Sequence, residues 1–122
     1  MDRLTIVKVG GKVVEEPELL DRLLDAFTTI TGYKILVHGG GKAATDLAAR
    51  LGVETKMVDG RRITDLETLE IVTMVYGGLI NKRVVAGLQA RNCNALGLTG
   101  ADLDLVRARK RAVTDIDYGY AG

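Results

Sequence analysis

Scarcity marks this chain first. Its 122 residues include one proline, one cysteine, one histidine, one phenylalanine and no tryptophan. With Cys93 alone, no internal disulfide can form, which suits a reducing compartment. One His and one Cys leave no metal-ligand spacing and no Ser-His-Asp or Cys-His set to propose. Seventeen basic and sixteen acidic residues interleave to a net charge of +1. That gives no electrostatic footprint for nucleic acid or an anionic membrane surface. No apolar run in the sequence approaches the roughly 20 residues that span a bilayer. The opening "MDRLTIVKVGGK" lacks the charged, apolar, small-residue layout of a secretory signal. The expectation is a cytoplasmic protein with neither nucleic-acid nor membrane partners.

Glycine, by contrast, is abundant, at fifteen residues, and 47% of the chain is apolar. One domain's worth of core is available. With aromatics scarce, Leu, Val, Ile and Ala must build it. The glycines gather at the ends of elements, which points to ligand-facing loops rather than low complexity.

Leu4–Val9 is a short β-rich run that stops at Gly10-Gly11. Pro17 opens a helix at the position proline tolerates. Leu19, Leu20, Leu23, Leu24, Phe27 and Ile30 then form one apolar stripe, with Gly32 as a C-cap. Lys34–His38 reads as a second buried strand. Gly39–Gly41 follows, then a helix with Ala43, Ala44, Leu47, Ala48 and Leu51 on one side, ended by Gly52. The order strand, Gly-Gly, helix, strand, Gly-Gly-Gly, helix implies an α/β fold, a mostly parallel open sheet with helices on both faces. Right-handed crossovers put both glycine joints beyond the carboxyl ends of the strands, where open α/β sheets bind ligands.

Further along, Asp59-Gly60 within Thr55–Thr64 signals a hairpin. Thr64 and Glu67 have capping-box spacing ahead of a long helix over 65–91, with Gly77-Gly78 in its middle. Ala95–Leu98 reads as a third buried strand. "LDLVRARKRAV" alternates like a half-exposed strand with a solvated basic face, and "TDIDYGYAG" has no clear pattern.

A glycine-rich strand-to-helix joint exposes several backbone N–H groups at a helix N-terminus, a ready anion site. Two opposed joints would clamp an anion between them; tight turning is the plainer use of the same residues. Neither joint is a P-loop, since Gly11-Lys12 is followed by Val13 and Gly41-Lys42 by Ala43. Neither has the G-x-G-x-x-G spacing of a dinucleotide fold. Lys8 interrupts an apolar strand two residues before Gly10. A charge buried there needs a partner, which an anion between the loops would be; an edge-strand lysine would instead snorkel. Of Arg61-Arg62, alternation lets only one face the site, where arginine suits a carboxylate. His38 is a general base or, more simply, a hydrogen-bonded structural histidine.

"VKVGGK", "LVHGGGKAATDLAARLG", "VDGRRIT" and "LTGAD", in this order and over essentially the whole chain, resemble the amino-terminal half of the acetylglutamate kinases, within the amino acid kinase family. K-x-G-G is shared across that superfamily; H-G-G-G with G-x-R-x-T narrows the match. The resemblance implies phosphorylation of the side-chain carboxylate of N-acetyl-L-glutamate in arginine biosynthesis, with MgATP as co-substrate and no tightly bound cofactor. It implies that Lys8 stabilises the phosphoryl group in transit. Gly10, Gly11, Gly40 and Gly41 would supply backbone donors. Gly40, Gly41 and Arg62 would hold the amino acid, Arg62 at its α-carboxylate, with the hairpin as a lid. Helix 65–91 would carry a homodimer contact.

Such kinases are about twice as long, and their second half carries the nucleotide site. Residues 1–122 are therefore expected to be an amino-terminal, substrate-binding lobe, inactive alone. Two alternatives share these motifs. One is a kinase for N-succinyl-L-glutamate or a carrier-linked amino-adipate. The other is a non-catalytic module that binds an acylated amino acid or dimerises.

Overall fold

A computed structural model describes residues 3–121. Strand β1 (Leu4–Lys8) pairs in parallel with β2 (Tyr33–Val37), in register from Leu4 opposite Tyr33 to Lys8 opposite Val37. The crossover between them is helical: α1 (Gly11–Glu15), then α2 (Pro17–Thr28), with Pro17 in the first turn of α2. A second crossover leaves β2 through Gly39–Gly41 into α3 (Gly41–Arg50). The alternation of strand and helix read from the sequence is thus the architecture.

The apolar stripe of α2 buries Leu20, Leu24 and Phe27. They join Val14 of α1, Ala44 and Ala48 of α3, and the inward residues Val7 and Leu36 of the sheet in one core. The carbonyls at and just past the end of α2, where helical partners run short, are gathered by a single side chain. Lys34 Nζ donates to the carbonyls of Phe27, Thr28 and Ile30 at 2.9–3.1 Å, over the Phe27 ring. A cation at a helix C-terminus also opposes the helix dipole favourably.

The other face of the sheet is apolar and open: Leu4, Ile6, Tyr33, Ile35 and Val37 are all exposed. Lys8 shares that alternation and is exposed as well. The burial cost that motivates a partner for Lys8 in the sequence therefore does not arise in this structure.

The Asp59-Gly60 hairpin forms as its sequence requires. Strands β3 (Lys56–Val58) and β4 (Arg61–Ile63) pair antiparallel. Asp59 and Gly60 both have positive φ, 49° and 73°, the two left-handed residues of a hairpin turn that matches strand twist.

The long helix starts one residue later than its capping box suggests. Asp65, not Thr64, is the N-cap, and its Oδ1 accepts from Thr68 N at 2.9 Å. The helix runs as α4 (Leu66–Val72), a π-helical stretch (Thr73–Ile80) and α5 (Asn81–Gln89). Over Leu66–Gln89 it is long and apolar enough to cross a membrane by length and composition, although Glu67, Glu70, Lys82 and Arg83 interrupt its apolar run. Ile71, Val75, Ile80, Val84 and Leu88 bury one side of it in the core. Arg91 ties its end to α2 through Asp21 and Asp25.

Two expected strands do not form. Along Ala95–Leu98 the carbonyls are taken by side chains of the preceding helix rather than by a neighbouring strand. Gln89 donates to Ala95 O, Lys82 to Gly97 O and Asn81 to Leu98 O. Leu103–Val113 is exposed and irregular after one 3₁₀ turn at Asp102–Asp104. Its apolar residues meet no face to pack on, so alternation alone cannot make it a strand. The chain then returns to the hairpin, where Thr64 bridges Gly119 and exchanges backbone bonds with Tyr118 and Tyr120.

Candidate functional site

After one further residue each parallel strand runs into glycine, and the pairing brings the two glycine joints together. A Cβ placed on Gly11 would lie 3.4 Å from the amide nitrogens of both Gly40 and Gly41, and 3.3 Å from Glu15 Oε1. One placed on Gly39 would lie 3.9 Å from Gly11 N. Among the described residues, the N–H groups of Gly11, Gly40 and Gly41 meet no protein acceptor. The absent Cβ at Gly11 therefore keeps a set of unengaged amide donors uncovered. Gly10, the residue before α1, has no atom within 4 Å of its Cβ position, so packing does not demand glycine there.

Gly40 is glycine for a different reason. Its Cβ would lie 2.3 Å from Ile80 Cδ1 and 3.1 Å from Tyr76 Cδ1. The π-helical stretch presses against the loop at this point. Its Gly77 also packs closely on Thr99, with the Thr99 methyl 3.0 Å from the Gly77 Cβ position. π-helical geometry is uncommon and recurs near functional sites.

Arg62 reaches the same joint from the hairpin. Its Nη2 donates to Gly41 O at 2.9 Å and to Thr45 Oγ1 at 2.8 Å. Thr45 in turn donates to Gly41 O at 3.0 Å. Alternation along β4 leaves Arg61 exposed and turns Arg62 inward, so one arginine of the pair faces the joint. On the first turn of α3, Glu15 Oε1 accepts from Ala43 N at 2.9 Å and satisfies one of the free helix N–H groups.

His38 is engaged structurally. Nδ1 donates to Gly39 O at 3.0 Å, which leaves Nε2 as the acceptor facing Asn81 Nδ2 at 3.5 Å. The buried Asn81 also donates to Leu98 O, so it joins the end of β2 to the 95–98 segment. Next in the chain, Asp102 Oδ2 accepts from Thr99 N and Thr99 Oγ1. Those bonds, the backbone one first, hold its carboxyl below the usual carboxylate range.

A cleft of about 850 Å³ opens on one side of the joint, lined by Gly11, Gly41, Lys12, Lys42, Arg83 and Ile80 among others. Lys42 is paired with Asp46 there. Lys8 and Arg62 do not line it. Of the residues singled out in the sequence, Gly11, Gly40, Gly41 and Arg62 thus converge. Lys8 stands at the end of β1, two residues before Gly10, with its side chain in solvent. The sequence reading missed Glu15, Thr45, Tyr76, Ile80 and Asn81. Only Thr45, one helical turn from Gly41, carried a local signal; Glu15 acts across 28 residues.

Paired strand-to-helix glycine joints at the carboxyl edge of a parallel sheet, with an inward arginine, define an α/β fold whose loops present unengaged amide donors. The chain belongs to the amino acid kinase family, whose model matches residues 3–121. It is 65% identical to an acetylglutamate kinase of Parabacteroides distasonis over all of this chain and 48% of that protein. An acetylglutamate kinase of Phocaeicola vulgatus is 64% identical over 99% of this chain and 47% of that one. The chain thus spans about half the length of the curated relatives it matches. Among solved structures, the fold is shared with N-acetylglutamate synthase from Neisseria gonorrhoeae. That likeness has a TM-score of 0.62 at 21% identity, over 97% of this chain and 29% of that one.

Proposed function

We propose that this chain is the amino-acid-binding lobe, residues 1–122, of a cytoplasmic kinase that transfers phosphate from MgATP to the side-chain carboxylate of N-acetyl-L-glutamate, in arginine biosynthesis. The observation that carries the reading is the convergence of the two glycine joints, with Arg62 fastened to Gly41 at 2.9 Å. The 65% identity to a protein of that name supports it.

The acceptor carboxylate is ionised at neutral pH, since an unperturbed glutamate titrates near about 4.3. No general base is required, which fits a His38 already committed to Gly39. The difficulty is charge: an anionic nucleophile meets an anionic phosphoryl group, and charge then spreads over the transferring oxygens. The amides of Gly10, Gly11, Gly40 and Gly41 are donors fixed in place before reaction, so they stabilise that charge without reorganising. Lys8, exposed at the strand end, adds a positive charge when substrate and nucleotide fill the open edge. Arg62 orients the amino acid through its α-carboxylate. MgATP supplies the phosphoryl group and its own metal; phosphate oxygens match unengaged amides in chemistry.

The nucleotide lobe belongs to the half of the relatives that this chain does not span, so the chain alone is inactive in this reading. Leu66, Met74 and Leu79, more than half exposed on the long helix, favour a homodimer contact there.

The test is an assay of these residues joined to their natural continuation. Acetylglutamate-dependent ADP release, with the acyl phosphate trapped as a hydroxamate, is the expected result. Turnover with N-succinyl-L-glutamate alone would move the assignment to the neighbouring substrate. No turnover with any acylated amino acid, but retained binding, would leave a binding module.

A further inference from the structure

Tyr76 lies in the middle of an apolar helical stretch where a phenylalanine would fill the same space. It is half-buried, and its ring edge is 3.1–3.3 Å from the Cβ position of Gly40. Its hydroxyl is 3.6 Å from the Cβ position of Gly41. The other polar side chains placed on the first turn of α3 are occupied: Thr45 by Gly41 and Arg62, Glu15 by Ala43. Among the described residues, the Tyr76 hydroxyl has no hydrogen-bond partner. The hydroxyl is reached by solvent rather than sealed from it, so a ligand oxygen can reach it as well. It points at the turn where the amides of Gly40 and Gly41 are also unengaged. The π-helical widening of the helix sets Tyr76 and Ile80 against Gly40 together.

We infer that Tyr76 is a further substrate-binding residue, whose hydroxyl donates to an oxygen of the acylated amino acid held at Gly40 and Gly41. The inference rests on the function proposed above. The amino acid, rather than the nucleotide, is the ligand because Tyr76 and Arg62 close on the same residue, Gly41. A phenol there is a neutral donor, so it adds direction to a site whose charge Arg62 supplies.

The experiment compares wild type, Tyr76→Phe and Tyr76→Leu in these residues joined to their natural continuation. Tyr76→Phe keeps the ring on Gly40 and removes only the hydroxyl. Its unfolding midpoint should match wild type, and its KM for acetylglutamate should rise on the order of tenfold, the worth of one hydrogen bond. Its kcat and its KM for ATP should stay near wild type. Tyr76→Leu should show the same KM rise together with a lower midpoint, because the ring is lost too. An unchanged KM in Tyr76→Phe, or a rise in KM for ATP instead, would overturn the inference while wild-type activity kept the functional reading. Wild-type protein that neither binds nor phosphorylates acetylglutamate would remove both.

Discussion

The guanidinium of Arg62 and the carbonyl of Gly41, 21 residues apart in sequence, are hydrogen-bonded at 2.9 Å. The bond, with a second to Thr45 Oγ1, fastens the hairpin to the first turn of α3. Removing the side chain removes both the fixation and the charge. Arg62→Ala, in these residues joined to their natural continuation, should raise KM for acetylglutamate by roughly 10–100-fold, as expected for a charge-assisted contact, with a smaller effect on kcat. Arg62→Lys should not restore it, because a single ammonium cannot reproduce the planar fork. Steady-state kinetics with each substrate varied in turn checks this; an unchanged KM would take Arg62 out of the amino-acid site.

Lys8 makes a separate prediction because it is exposed and touches neither glycine joint. Lys8→Ala should leave the unfolding midpoint unchanged and lower kcat on the order of a hundredfold or more, the signature of lost transition-state charge stabilisation. Near-normal turnover would remove Lys8 from the mechanism.

The parts of this fold legible in sequence were those whose signal is local. Pro17 at the start of α2, the Asp59-Gly60 turn and the two strand-to-glycine junctions each depend on a few neighbouring residues. The strand at Ala95–Leu98 was misread because its carbonyls are claimed by Gln89, Lys82 and Asn81, contacts that no periodicity reveals. Of the candidate site, the meeting of Gly11, Gly40, Gly41 and Arg62 at one edge was legible. Lys8 was named for a burial it does not have. Tyr76 and Ile80 carried no signal, because nothing local says that side chains 36 and 40 residues beyond Gly40 will press against it.

Gly11 and Gly40 separate the two uses of glycine. Gly11→Ala meets tight but tolerable neighbours at 3.3–3.4 Å, so the chain should fold while the new methyl covers the amides of Gly40 and Gly41. Activity should fall steeply with little change in midpoint. Gly40→Ala meets Ile80 Cδ1 at 2.3 Å and should cost about 1–3 kcal/mol in stability, as overpacking does. Shortening the obstacle with Ile80→Val should recover part of that loss in the double variant. Denaturant titration of the four proteins checks the pattern; two glycine variants that behave alike would deny the distinction.

The Asp65 cap gives the long helix a dependence on pH. The Thr68 side chain, and then its backbone N–H, hold the Asp65 carboxyl below its ordinary value. A carboxyl lowered in the folded state contributes stability that is fully present above its unfolded pKa of about 3.9. That contribution is lost as pH falls through the lower, folded value. Asp65→Ala should therefore unfold at a lower temperature than wild type at pH 7, with the gap narrowing as pH is brought below about 4. Asp65→Asn, which keeps a capping oxygen without the charge, should fall between the two at neutral pH and lie closest to wild type at the acid end. Thermal unfolding followed by circular dichroism from pH 7 downward measures all three. A gap of constant width would mean that the carboxylate's charge adds nothing to the cap, and that its oxygen holds Thr68 N equally well in the neutral form.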